Sequence, residues 1–243
     1  MKKKLVLYGT KEYENSMNSL IISAKDYFDD YLIFKPEDID SVFFEKNKTI
    51  LTQSRGAGYW LWKPYFINKV MESSDDGDII FYVDSGNIFL SNPSFLYEKL
   101  TDNSGIILFD NRDGMTNGDH AKNYISCKKD SFVLMGCDTY EYIYGKHLNA
   151  SYQIYQKNNK SMEFVKEYLD VCQNINILTD TSNQHGNNYD GYYDHRHDQS
   201  VLSLLSIKHN INPLVDPSEW GDKCNIRGFD QLFKHHRNPN FIL

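Results

Sequence analysis

The apolar positions of the first third of the chain change their period several times. Leu5-Val-Leu-Tyr8 is apolar without a break and ends at Gly9, which predicts a short buried strand closed by a glycine turn. Met17, Leu20, Ile21, Ala24 and Phe28 follow at spacings of 3, 1, 3 and 4, one face of a helix. Tyr31-Leu-Ile-Phe34 predicts a second strand, closed by Pro36, and a short helix is expected over 38–46. Pro64 suits the first turn of a helix whose apolar positions include Phe66, Ile67, Val70 and Met71. The acidic loop from Ser73 to Asp78 leads into Ile79-Ile-Phe-Tyr-Val83, a continuous apolar run of the kind that lies inside a parallel sheet. Strands alternating with helices over this stretch predict an α/β sheet with parallel crossovers.

The second half is less regular. Gly105 to Phe109, Ser131 to Met135 and Ser151 to Tyr155 are strand candidates. Phe164, Val165, Tyr168, Leu169 and Cys172 mark an amphipathic helix, and a last helix is expected from Asp198 through Leu202 and Leu205. Between them, 180–193 is rich in Asn, Gly and Tyr, lacks periodicity, and reads as a loop over a site. No repeat, low-complexity tract or linker divides the chain, so residues 1–243 are expected to form a single domain.

Composition narrows the function classes. With 26 Lys plus Arg against 33 Asp plus Glu, the net charge is −7, which argues against a nucleic-acid partner because phosphate neutralisation needs surplus basic charge. No apolar run approaches the ~20 residues of a membrane span. Met1-Lys-Lys-Lys4 looks like the start of a signal peptide, but the apolar stretch after it is far too short, so the expected location is the cytoplasm. Cys127, Cys137, Cys172 and Cys224 lie far apart without a C-x-x-C pair, so reduced, packed thiols are expected rather than a zinc site or a disulfide framework.

Four groups of residues could carry chemistry. Asp84 ends the apolar strand Phe81-Tyr-Val83 and is followed by Ser85 and Gly86. A carboxylate there sits at the carboxyl edge of the sheet, where open α/β folds bind ligands, although a turn-capping Asp has the same pattern. Asp194-His-Arg-His-Asp198 precedes the last helix, with Gln199 and Ser200 after it. Asp198 alone would serve as an N-cap, which leaves His195, Arg196 and His197 to neutralise a phosphate, ligate a metal, position a hydroxyl, or simply tie down a polar loop. Arg55-Gly-Ala-Gly-Tyr-Trp-Leu-Trp-Lys63 offers two Trp walls and a cation, or two core tryptophans. His235-His-Arg237 near the C terminus carries little weight alone.

Taken in order, Gly58-Tyr-Trp-Leu-Trp-Lys-Pro64, Tyr82-Val-Asp-Ser-Gly86 and His195-Arg-His-Asp-Gln-Ser200 resemble the GT-A-fold, nucleotide-sugar-dependent glycosyltransferases, particularly small bacterial and viral ones with the His-Arg-His-Asp-Gln-Ser motif. The resemblance implies a Rossmann-like GT-A domain with a mostly parallel sheet. It implies transfer of a sugar (hexosyltransferase type) from a UDP- or GDP-linked donor to a glycan or lipid-linked hydroxyl acceptor, as in surface polysaccharide synthesis, with at most peripheral membrane association. Tyr8, Gly9 and Thr10 would hold the nucleotide, Asn149, Ala150 and Ser151 form the segment that would touch the donor sugar, and Lys63 would reach the phosphates beside Ser85, His195, Arg196 and His197. Asp84 matches the first acid of the DxD motif, but Gly86 stands in place of the second, so the expected Mn²⁺ or Mg²⁺ would rest on Asp84 and a C-terminal histidine, His236 or its neighbour His235. Asp198 and Gln199 would lie near the anomeric carbon, Asp198 as the base of an inverting transfer; a retaining one needs no such base. Two rival functions share this fold: a sugar-phosphate nucleotidyltransferase, which calls for a glycine-rich basic loop that Tyr8-Gly-Thr-Lys-Glu12 scarcely provides, and a carbohydrate-binding protein without catalysis.

Overall fold

The computed structural model describes residues 1–111, 121–222 and 228–243. Its centre is a five-stranded sheet in the order β2-β1-β3-β6-β5, made of β1 (Lys3–Tyr8), β2 (Asp30–Phe34), β3 (Ile79–Val83), β5 (Ile106–Asp110) and β6 (Leu148–Gln156). Parallel pairing joins β1 to β2 and to β3, as the alternating pattern predicted. β6 then enters between β3 and β5 and is antiparallel to both. A separate two-stranded antiparallel ribbon pairs β4 (Asn87–Phe89) with β7 (Phe233–His235), Asn87 facing His235.

Side-chain alternation along the strands builds two cores. Val6, Tyr8, Ile80, Tyr82 and Tyr155 face three helices: α2 (Trp62–Ser73), α3 (Asn159–Cys172) and α4 (Asp198–Lys208). Leu5, Leu7, Phe81, Val83 and Ile154 face α1 (Glu14–Ser23) and the β4–β7 ribbon, where Phe89 and Phe233 close the layer. β3 is buried at every position because a strand or core lies on each side of it. The α3 helix begins with a capping box, Asn158 Oδ1 accepting from Ser161 N at 2.9 Å, and its apolar stripe of Phe164, Val165, Tyr168, Leu169 and Cys172 is buried. Cys127, Cys137 and Cys172 are buried free thiols; Cys224 lies outside the described residues.

Two local expectations are corrected. Ser131 to Met135 is not a strand but part of a helix, Lys129–Leu134. Four consecutive apolar residues do not distinguish period 2 from period 3.6, and here Phe132 packs on Cys127 and Cys137 while the Asp130 carboxylate accepts from the backbone of Gln184 and His185. The helix expected over 38–46 is shorter, Ser41–Lys46, because Asp40 caps it by accepting from Val42 N at 2.9 Å and Phe43 N at 3.2 Å.

Candidate active site

A cleft of about 540 Å³ opens at the carboxyl ends of β1 and β3, the edge at which open α/β sheets bind ligands. Tyr8, Gly9 and Thr10 from the end of β1, and Asp84, Ser85 and Gly86 from the end of β3, all line it. Glu12, Tyr13, Ser54, Ser151, His235 and Arg237 also line it, with the tryptophans Trp60 and Trp62. Trp62 stacks on Tyr8 with centroids 3.9 Å apart and donates Nε1–H to Gly56 O at 2.9 Å. These rings therefore serve both core and wall.

One wall is a left-handed helical turn. Gly56, Ala57, Gly58, Tyr59 and Trp60 have φ of 56°, 50°, 98°, 52° and 59° in succession. Left-handed geometry costs roughly 1–2 kcal/mol for each residue with a Cβ, so Ala57, Tyr59 and Trp60 together store several kcal/mol. The turn is held by Tyr59 N–H to Arg55 O at 2.8 Å, Trp60 N–H to Gly56 O at 3.2 Å, and Trp60 stacked on His197. Glycine is required at 58 because a Cβ there would lie 2.8 Å from Leu51 Cα. The pattern Gly-x-Gly before two aromatics was its one sequence signal, and strain of this kind concentrates at functional sites.

Beneath the cleft floor lies a buried charge network. The Lys63 ammonium is 3.2 Å from Asp84 Oδ1 and 3.0 Å from Asp198 Oδ2, and donates to Ala150 O at 3.3 Å. Tyr82 donates to Asp84 Oδ1, and Tyr168 to Asp198 Oδ2 at 3.2 Å. Burial disfavours the Lys63 ammonium, but Asp198 and then Asp84 outweigh it and hold its pKa above the ordinary lysine value. Burial likewise pushes Asp198 up, and Lys63 pulls against it. Tyr82 is a core tyrosine that reaches the acid two residues along its own strand end, and Tyr168 is one that reaches Asp198 from the neighbouring helix, a pairing no local sequence signal announces.

Several expected site residues lie elsewhere. Asp198, read as the base, is 4% exposed and faces Lys63 rather than the cleft; Gln199 is absent from the lining as well. His195 and His197 are buried, their rings hydrogen-bonded to Ile177 O at 2.8 Å and Leu178 O at 2.9 Å. Burial lowers both pKa values, so neither ring brings positive charge to a phosphate near neutral pH. Arg196 is exposed and pairs with Asp194 at 3.5 Å. The motif thus docks the 180–193 loop and the start of α4 onto the Ile175–Leu178 turn. Of the expected segment Asn149-Ala-Ser151, only Ser151 lines the cleft; Asn149 Nδ2 donates to Asp216 Oδ2 at 3.0 Å.

The expected metal fares no better. Asp84 Oδ1 is already shared by Lys63 and Tyr82, and Gly86 supplies no carboxylate. His235 lines the cleft, but its Nε2 is 2.9 Å from the Tyr152 hydroxyl, while His236 stacks on Phe241 outside the lining. Among the described residues no three His, Cys, Asp or Glu side chains come together as a metal site would need. This donor set does not fit a divalent cation.

Against known proteins, no family model and no curated sequence matches the chain. Solved structures do. The apo structure of the bifunctional glycosyltransferase WbbM aligns with a TM-score of 0.59 at 10% identity, over 97% of this chain and 45% of that one. The chain therefore spans less than half the length of WbbM. The apo form of mouse xyloside xylosyltransferase 1 aligns with a TM-score of 0.53 at 10% identity over the whole of both chains. The α/β fold, with its mostly parallel central sheet, is accordingly that of GT-A glycosyltransferases. Among the described residues no helix is long and apolar enough to cross a membrane.

Proposed function

We propose that the chain is a glycosyltransferase that takes a sugar from a nucleoside-diphosphate donor, UDP- or GDP-linked, and passes it to a hydroxyl of a glycan or lipid-linked acceptor. The observation that carries the reading is the cleft at the carboxyl ends of β1 and β3, where Tyr8–Thr10 and Asp84–Gly86 converge on a GT-A fold. Tyr8, stacked on Trp62, and the backbone around Gly9 and Thr10 hold the nucleoside. Asp84 accepts from donor hydroxyls, its orientation set by Tyr82, Lys63 and its own N–H, which donates to Ser151 O at 2.9 Å. Fixing the carboxylate in this way before substrate arrives spares reorganisation during the reaction. Asp198 acts through Lys63, as the buried counter-ion that keeps the ammonium charged and in place.

Incubation with UDP- and GDP-sugars, with and without oligosaccharide acceptors, tests the proposal. The expected product is free nucleoside diphosphate with sugar on the acceptor. Pyrophosphate released from a nucleoside triphosphate and a sugar phosphate would mark a nucleotidyltransferase instead. Carbohydrate binding with no turnover of any donor would mark a binding protein.

A further inference from the structure

The cleft has a cationic side chain of its own at the place where Gly86 leaves a gap. Gly86 is not there for backbone freedom, since its φ is not in the positive range. Steric exclusion does not explain it either: a Cβ at 86 would meet nothing nearer than Arg237 Cα at 3.6 Å and Arg237 N at 3.8 Å, ordinary contacts. What the position does is receive the chain after β7. Gly86 O accepts from His236 N at 3.0 Å and from Arg237 N at 3.3 Å, which fixes Arg237 against the turn that carries Asp84. Arg237 is bent into the left-handed region to sit there, with φ of 50°, a conformation unfavourable for a non-glycine residue. It is exposed and lines the cleft, and among the described residues no carboxylate lies within 4 Å of its guanidinium. The other charged side chains on the lining are the acids Glu12 and Asp84.

Resting on the nucleotide-sugar reading above, we infer that Arg237 takes the place of the divalent cation: its guanidinium neutralises the donor diphosphate, and the site binds its nucleotide without metal. The chemistry suits the group. A guanidinium is charged at any physiological pH and presents a planar fork of N–H donors that matches two phosphate oxygens at once. A carboxylate at 86 would neutralise that fork by pairing with it, so a glycine there and an arginine against it form one device. The same cation would meet the charge that develops on the leaving diphosphate when the glycosidic bond breaks.

The test is calorimetric titration of the intact protein with UDP and GDP, first in EDTA and then with Mn²⁺. The expected result is binding in EDTA with a Kd within about threefold of that in Mn²⁺, weakened tenfold or more in Arg237→Gln, and partly retained in Arg237→Lys. Uridine or guanosine, which lack the phosphates, should bind Arg237→Gln and the parent protein alike. Gly86→Asp is the converse experiment: binding in EDTA should fall, and Mn²⁺ should now restore it. Binding that vanishes in EDTA in the parent protein, or an Arg237→Gln protein that binds the diphosphates as well as the parent, overturns the inference. Failure to bind either nucleoside diphosphate with or without Mn²⁺ overturns the donor reading itself, and this inference with it.

Discussion

Replacing Lys63 by Met keeps the aliphatic stem in the core and removes one charge, so the result reads the network under the cleft directly. Three oxygens lose one of their partners: Asp198 Oδ2, Asp84 Oδ1 and Ala150 O. Asp84 is 30% exposed at its side chain and keeps Tyr82, so water and one hydroxyl absorb part of its loss. Asp198 is buried and keeps only Tyr168 among its side-chain partners, with a second carboxylate nearby. A charge so placed is best relieved by taking up a proton. Protonating a carboxyl of ordinary pKa near 3.9 costs about 4 kcal/mol at pH 7 and about 1.5 kcal/mol at pH 5, at ~1.4 kcal/mol per pH unit. The first figure agrees with the roughly 3–5 kcal/mol usual when one member of a buried ion pair is removed. A carboxyl whose pKa is raised on folding binds its proton more tightly in the folded state, so the variant regains stability as the pH falls. Urea unfolding of both proteins at pH 7 and pH 5 is the assay, with Lys63→Met/Asp198→Asn as the control that should recover most of the loss. A loss under about 1 kcal/mol at pH 7, or an equal loss at both pH values, would refute the network as described.

Gly58→Ala should destabilise the fold by at least about 2 kcal/mol in thermal or urea unfolding, because φ is 98° and the new Cβ would lie 2.8 Å from Leu51 Cα. Asp84→Asn should cut donor turnover by tenfold or more while leaving stability within about 1 kcal/mol, since Lys63 keeps Asp198; near-parental turnover would remove Asp84 from the proposed site. Asp78 gives a pH prediction. Burial pushes its carboxyl up, but Lys2 N at 2.7 Å and the Lys4 ammonium at 2.9 Å outweigh burial and bring its pKa down to about 2. Because the folded pKa is depressed, about 2 kcal/mol of stability should be present above pH 4 and lost as the pH falls to about 2, and Asp78→Asn should flatten that part of the stability profile.

Local pattern alone was enough to determine the parallel half of the sheet. An unbroken apolar run such as Ile79–Val83 has one low-energy fate, burial between layers, and the stripe from Phe164 to Cys172 has another, the inner face of a helix. The cleft position followed too, because a strand that ends in Tyr8-Gly-Thr or Asp84-Ser-Gly must deliver those residues to the carboxyl edge. Tertiary structure decided the rest. β6 runs antiparallel to both β3 and β5, and strand direction leaves no mark on composition. His195 and His197 looked like site residues because spacing shows where a polar side chain is attached and not which carbonyl it will find; the Ile177 and Leu178 carbonyls took them into the core. Asp198 was expected to face the cleft as a base, but it is buried against Lys63, whose ammonium stands between it and Asp84. Arg237 had little weight in a polar tail. It gained a role only when β7 paired with β4 and set it against Gly86, a contact between residues 151 positions apart that only the folded chain can make.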